Sequence, residues 1–115
     1  METEPEHLLI LWTNADKDAA RNMVFMYAWN SITKKWWEKV TILVWGSPSK
    51  LVVGDREVAD DIASLLRAGV RVIACRQCAE NLCAAEGLEA LGVEVFYTGQ
   101  FLTDWIKSGN RMLTV

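Results

Sequence analysis

Short unbroken apolar runs alternate along the chain with stretches in which apolar residues recur every three or four positions. The first run is His7-Leu8-Leu9-Ile10-Leu11-Trp12, the pattern of a strand covered on both faces. Thr13-Asn14-Ala15-Asp16 then supplies turn and cap chemistry. Ala20, Met23, Val24, Tyr27 and Ala28 follow at helical spacing. A second run, Val40-Thr41-Ile42-Leu43-Val44-Trp45, is broken by Gly46-Ser47-Pro48-Ser49. Asp55 is placed to cap a helix whose inner face is Val58, Ile62, Leu65 and Leu66, with Gly69 just past its end. The third strand is Val70-Arg71-Val72-Ile73-Ala74-Cys75. A helix with Ala79, Leu82 and Cys83 follows; Gly87 is expected to weaken or end it, leaving Leu88 to Leu91 as one further turn. Gly92 leads into Val93-Glu94-Val95-Phe96-Tyr97. Thr98-Gly99 opens a helix with Phe101, Leu102, Trp105 and Ile106, which Gly109 ends before a fifth strand at Met112-Leu113-Thr114-Val115.

Strands alternating strictly with helices predict βαβ crossovers, hence an α/β fold with a mostly parallel five-stranded sheet and helices on both faces. Residues 1–115 read as one domain, with 1–6 as a loose tail. In such sheets the functional crevice lies outside the carboxyl ends of the strands. Residues 13–16, 46–54, 75–78 and 97–100 form the loops at that edge. They offer Asn14, Asp16, Gly46, Ser47, Arg76, Gln77, Tyr97, Thr98 and Gly99 as crevice residues.

Composition narrows the functional classes. The net charge is -3 and no basic block is present, which argues against a nucleic-acid surface. Lys34 and Lys35, beside Trp36 and Trp37, read as a solvated helix end. No apolar run is long enough to span a membrane, and the acidic start does not read as a secretory signal. These features, with an odd number of cysteines, lead us to expect a cytoplasmic protein without a disulfide framework.

Cys75 is the leading chemical candidate. It stands where the third strand gives way to a helix, whose positive end favours a thiolate, the nucleophilic form of sulfur. Arg76 would add to that field. The alternative is a buried structural thiol, a common fate of free cysteine. Cys78 completes a Cys-Arg-Gln-Cys spacing and reads either as a second, resolving thiol or as a small helix residue. Cys83 reads as core. A structural zinc site needs four ligands, and beyond these only a distant His7 remains, so no metal and no cofactor is expected. His7 opens the first strand, at the opposite edge from Cys75, which disfavours a Cys-His hydrolase. No phosphate loop, dinucleotide fingerprint or nucleophile elbow occurs. Asp55, Glu57, Asp60 and Asp61 read as a solvated helix face.

Six tryptophans are many for 115 residues. Trp12 and Trp45 are expected to wall the crevice, and some aromatic surface is expected to meet a neighbouring subunit. The segment Val70 to Ala79, followed by Leu91-Gly92-Val93-Glu94-Val95, resembles the DsrE-like family of small α/β sulfur-relay proteins. So do the strand end Leu11-Trp12-Thr13, Gly99 through Leu102, and Arg111 to Val115. The resemblance spans nearly the whole chain. It implies a three-layer α/β/α sandwich and symmetric assembly into dimers, trimers or hexamers. It also implies a cysteine at the end of the third strand, here Cys75, that accepts sulfane sulfur as a persulfide and passes it from a donor to an acceptor protein; Cys78 has no settled counterpart.

Three functions follow as expectations. The first is a persulfide carrier, or sulfurtransferase-like protein, working through Cys75. The second is a thiol redox or sensing protein using Cys75 and Cys78. The third is an oligomeric binding module that holds a small ligand or partner segment in the crevice.

Overall fold

The computed structural model describes residues 1–115. Five strands form one sheet: β1 (His7–Trp12), β2 (Lys39–Val44), β3 (Arg71–Cys75), β4 (Glu94–Phe96) and β5 (Arg111–Thr114). All neighbouring pairs are parallel and the order is β4-β3-β2-β1-β5. The helices are α1 (Lys17–Ala19), α2 (Met26–Thr33), α3 (Pro48–Gly54), α4 (Arg56–Ala68), α5 (Arg76–Asn81), α6 (Ala85–Leu91) and α7 (Gly99–Lys107). The sandwich of three layers is thus present, with more helical segments than periodicity suggested.

Its two outer layers are unequal, and the strand order explains why. From β1 to β4 the chain steps in one direction across the sheet. Right-handed crossovers therefore place α1 to α6 on one face. The connection from β4 to β5 runs back across the whole sheet and lays α7 on the other. On the first face Leu8, Ile10, Trp12, Ile42, Val44 and Val72 join a core of 22 buried residues with the helices. On the second, Leu9, Leu43 and Ile73 meet Trp105 in a core of only four. One residue's shift in strand register would exchange these two sets.

Several local features are as the chain pattern predicts. The Asp55 carboxylate accepts the Val58 N–H at 3.1 Å, and Gly69 ends α4 at φ 102°. Val58, Ile62 and Leu65 are buried along the inner face of α4. The first helix differs. Between α1 and α2, residues Ala20–Phe25 form a π-helical segment. Its wider turn buries Ala20, Val24, Phe25 and Ala28, and leaves Met23 exposed. Residues 46–54, expected as a loop, contain α3, started by Pro48 in the first turn.

Gly87 does not end a helix; it lies inside α6. A Cβ there would sit 2.7 Å from Val53 Cγ1, so glycine permits close approach of α6 to α3. The break falls earlier, at Cys83 with φ 56°, which makes Cys83 exposed rather than core. Trp12 does not wall the crevice; it is fully buried, edge-on to Phe25 at 5.2 Å. Residues 1–6 carry no strand or helix but are tied to the α7–β5 turn, with the Glu4 N–H donating to Asn110 Oδ1 at 2.6 Å and the Thr3 hydroxyl to the Ser108 carbonyl at 3.2 Å.

The acidic face of α4 is paired rather than only solvated. Lys17 Nζ lies 2.9 Å from Asp55 and 2.8 Å from Glu57, and Arg21 lies 2.7 Å from both Glu57 and Asp61. The hydrogen bond from Lys17 holds both Asp55 and Glu57 below their ordinary values of 3.8 and 4.5, with the Val58 N–H adding to the effect at Asp55. Arg71 does the same to Glu94 across β3 and β4. Because these folded-state values are depressed, their stabilisation is present above the unfolded carboxylate range and is lost as pH falls through the folded values. The urea midpoint should therefore drop between about pH 5 and about pH 3. Glu57→Gln should show a shallower drop; an unchanged slope would show that the pairs contribute nothing. The groups face solvent, so molar salt should weaken the effect.

Candidate functional site

The strand order gives the crevice a location that loop positions alone did not. After β3 the chain turns onto the first face through α5; after β4 it turns onto the second through α7. Adjacent parallel strands that diverge in this way leave an opening beyond their carboxyl ends, and here that opening lies between β3 and β4. Cys75 is the last residue of β3, paired in register with Phe96 of β4. Strand alternation from Ile73 assigns Cys75 to the second face, the one covered by α7 alone. Trp45, Phe96, Phe101 and Leu102, all half-buried, fringe that core. Tyr97, on the turn into α7, is exposed.

Cys75 is also the N-cap of α5, with φ -66° and ψ 118°, and its side chain makes no capping hydrogen bond. The first-turn N–H groups of a helix have no partners within it, so they are available to a sulfur anion at this position. α5 has six residues, which makes its aligned dipole shorter than the sequence reading assumed. Cys75 is 6% exposed and Cys78 is half-buried. Residues at the N-cap and N3 positions share one side of the first turn. Cys78 accordingly faces Cys75: burial pushes the Cys78 thiol above its ordinary value of 9.0, the hydrogen bond with Cys75 and charge on Cys75 push it further, and the Gly46 N–H opposes them.

Arg76 does not reinforce the thiol as expected. Its Nη2 donates to the Val95 carbonyl at 2.6 Å and lies 3.4 Å from Glu89, while Nη1 lies 3.6 Å from Glu80. The guanidinium thus clamps the start of α5 to the end of β4. Gln77 bonds Asn81 along the helix.

The other crevice residues divide by strand. Gly46 (φ 84°) turns the chain after β2 and reaches Cys78 through its N–H; Ser47 is the N-cap of α3. Thr98 and Gly99 start α7; Thr98 is fully buried, with no partner for Oγ1. Asn14 and Asp16 belong to the turn after β1, where Asn14 accepts the Asp16 N–H and Asp16 caps α1 through the Ala19 N–H. β1 is separated from β3 by β2, so these two residues serve local turn geometry and stand apart from the opening beside Cys75.

His7 is at the amino end of β1. Its Nε2 lies 2.7 Å from Thr41 Oγ1 and its ring meets Trp105 edge-on at 4.8 Å. No group of three or more His, Cys, Asp or Glu side chains converges as a metal site. The roomiest depression, about 550 Å³, lies between the first helical segments and α4. Lys17, Arg21 and Asp61 on its rim are already paired, so it presents no free charge for a ligand.

Sequence reasoning overlooked Phe96 as the partner strand's neighbour of Cys75, and the first turn of α7 as the facing wall. Both follow from β4 lying beside β3, for which the individual apolar runs hold no signal.

No protein-family model and no curated protein matches the chain. Among solved structures it is similar to the conserved protein of unknown function BT1422 from Bacteroides thetaiotaomicron, with 39% identity, a TM-score of 0.94, and coverage of 96% of this chain and 95% of that one. MTH1491 from Methanobacterium thermoautotrophicum, of unknown function, shares 22% identity over 95% of this chain and 98% of its own, with a TM-score of 0.70. The ychN protein from E. coli shares 16% identity over 100% of both chains, with a TM-score of 0.56. The last two have the DsrE/YchN-like fold, and the likeness to them shows that fold alone.

Proposed function

This chain belongs to the same family as BT1422 of Bacteroides thetaiotaomicron, and from that premise we propose that it is a sulfur carrier of the DsrE-like kind, holding sulfane sulfur as a persulfide on Cys75. The observation that carries the reading is the place of Cys75: last in β3, beside the opening where β3 and β4 diverge, with a second thiol one turn away. The Cys75 thiolate attacks the outer sulfur of a donor R–S–SH. The donor S–S bond breaks, RS⁻ leaves and takes a proton, and Cys75–S–SH forms. An acceptor thiolate then attacks that outer sulfur and restores Cys75.

This reading includes a donor and an acceptor protein, a reducing cytoplasmic setting in which all three cysteines are free, and a homo-oligomer. Ile106 of α7, Met112 of β5 and Tyr97 are exposed apolar residues on or beside the thinly covered face, where a neighbouring subunit would bury them. No helix is long and apolar enough to cross a membrane.

The test uses protein carrying Cys78→Ser and Cys83→Ser, so that Cys75 is the only thiol. Glutathione persulfide should add about 32 Da, located on Cys75 by peptide mass mapping. A protein that gains no such mass while folded rejects the carrier reading. A second reading, a redox pair, is favoured by the mutual approach of Cys75 and Cys78. It predicts a reversible disulfide under mild oxidant without any sulfur donor.

A further inference from the structure

We infer that Cys78 is a discharging thiol: it resolves the Cys75 persulfide within the same chain, releasing the carried sulfur as hydrogen sulfide and leaving a Cys75–Cys78 disulfide. The inference rests on the carrier reading above and goes beyond it, because a simple relay needs no second cysteine.

The geometry is that of one helical turn. Cys75 at the N-cap and Cys78 at N3 of α5 lie on one side of the turn. Side chains three apart on a helix have Cβ atoms about 5–6 Å apart, and a disulfide needs about 3.5–4.5 Å, so a small adjustment at the extended N-cap closes the bond. The Cys78 thiol already interacts with Cys75, and the Gly46 N–H holds it from the other side. It is also the less buried of the two. Cys83 has no such place: it is exposed, in the left-handed turn beyond the end of α5.

A persulfide on Cys75 has an inner sulfur, attached to Cβ, and an outer one that projects outward. Cys78 stands beside the inner sulfur. Its sulfur attacks there; the bond between inner and outer sulfur breaks and the Cys75–Cys78 bond forms. The outer sulfur leaves with the electron pair and takes the Cys78 proton, departing as HS⁻. Sulfane sulfur is reduced to sulfide as the two thiols are oxidised to a disulfide, so atoms and electrons balance. Burial favours the protonated thiol, which keeps that proton at hand. A dithiol reductant, small or proteinaceous, then regenerates the two thiols in a second turnover step.

The experiment compares Cys83→Ser protein with protein carrying both Cys78→Ser and Cys83→Ser. Each is loaded anaerobically with glutathione persulfide and freed of donor by gel filtration. Mass and released sulfide are then followed. With Cys78 present, the adduct of about 32 Da should give way to a species about 2 Da lighter than the dithiol, with about one sulfide released per adduct. Without Cys78 the adduct should persist at least about tenfold longer, with no disulfide. Equal lifetimes in the two proteins, or a persulfide that migrates intact to Cys78, overturn the inference while the carrier reading stands. Absence of any adduct in both overturns the carrier reading and this inference with it.

Discussion

Trp105→Ala should lower the stability of the fold by about 3–5 kcal/mol, read as a shift of the urea midpoint at unchanged slope. Trp105 is 1% exposed and is the only fully buried side chain that α7 contributes. It seals Leu9, Leu43 and Ile73, stacks on Phe101 at 5.9 Å and meets His7 edge-on. Its Nε1 donates to the Arg111 carbonyl at 2.9 Å, which ties α7 to β5. Six helices guard the other face, so no element on this side can close over the cavity. Domains of this size commonly have about 5–15 kcal/mol in total, so the variant should be close to unfolding. A loss below about 1 kcal/mol would mean that α7 is held by something other than this contact.

A second large effect is expected at Ile73→Ala, about 2–5 kcal/mol. Ile73 is fully buried, lies between Leu43 of β2 and Glu94 of β4, and precedes Cys75 by two residues on the same face. Truncation removes the packing beneath Cys75, so alkylation of Cys75 in the folded protein should accelerate as well. Ile62→Ala, on α4 against the other face, should cost a similar amount of stability without that acceleration. Equal acceleration by both would separate Cys75 reactivity from its place on the thin face.

The comparison explains what the sequence made legible. Parallel strands packed on both faces read as apolar runs, so His7–Trp12 and Lys39–Val44 were visible almost to the residue. Asp55 and Gly69 were visible because caps are local chemistry. Strand order is not local: β1 to β4 look alike as runs, and nothing in any of them says that β5 returns beside β1. The unequal layers and the opening between β3 and β4 were hidden for that reason. The helix break at Cys83 was hidden because a non-glycine residue took the left-handed turn, while Gly87 drew attention to a place where glycine serves packing. The π-helical segment was hidden because one wide turn moves Phe25 inward against the expected period. Arg76 was misread because its nearest charge in sequence is not its partner in space; the Val95 carbonyl, brought alongside by the β3–β4 pairing, claims its Nη2. Cys75 itself was found because a strand end before a helix is a local pattern with a global meaning once the sheet is parallel.

The sulfur-handling account requires a donor to reach a thiol that is 6% exposed without unfolding the domain. The direct measurement is the rate at which iodoacetamide modifies Cys75 as the only thiol, followed across urea concentrations below the unfolding midpoint. Access from the native state predicts a rate that stays nearly flat over that range. A rate that climbs in step with the unfolded population would mean that Cys75 is met only in the unfolded chain, which contradicts the account.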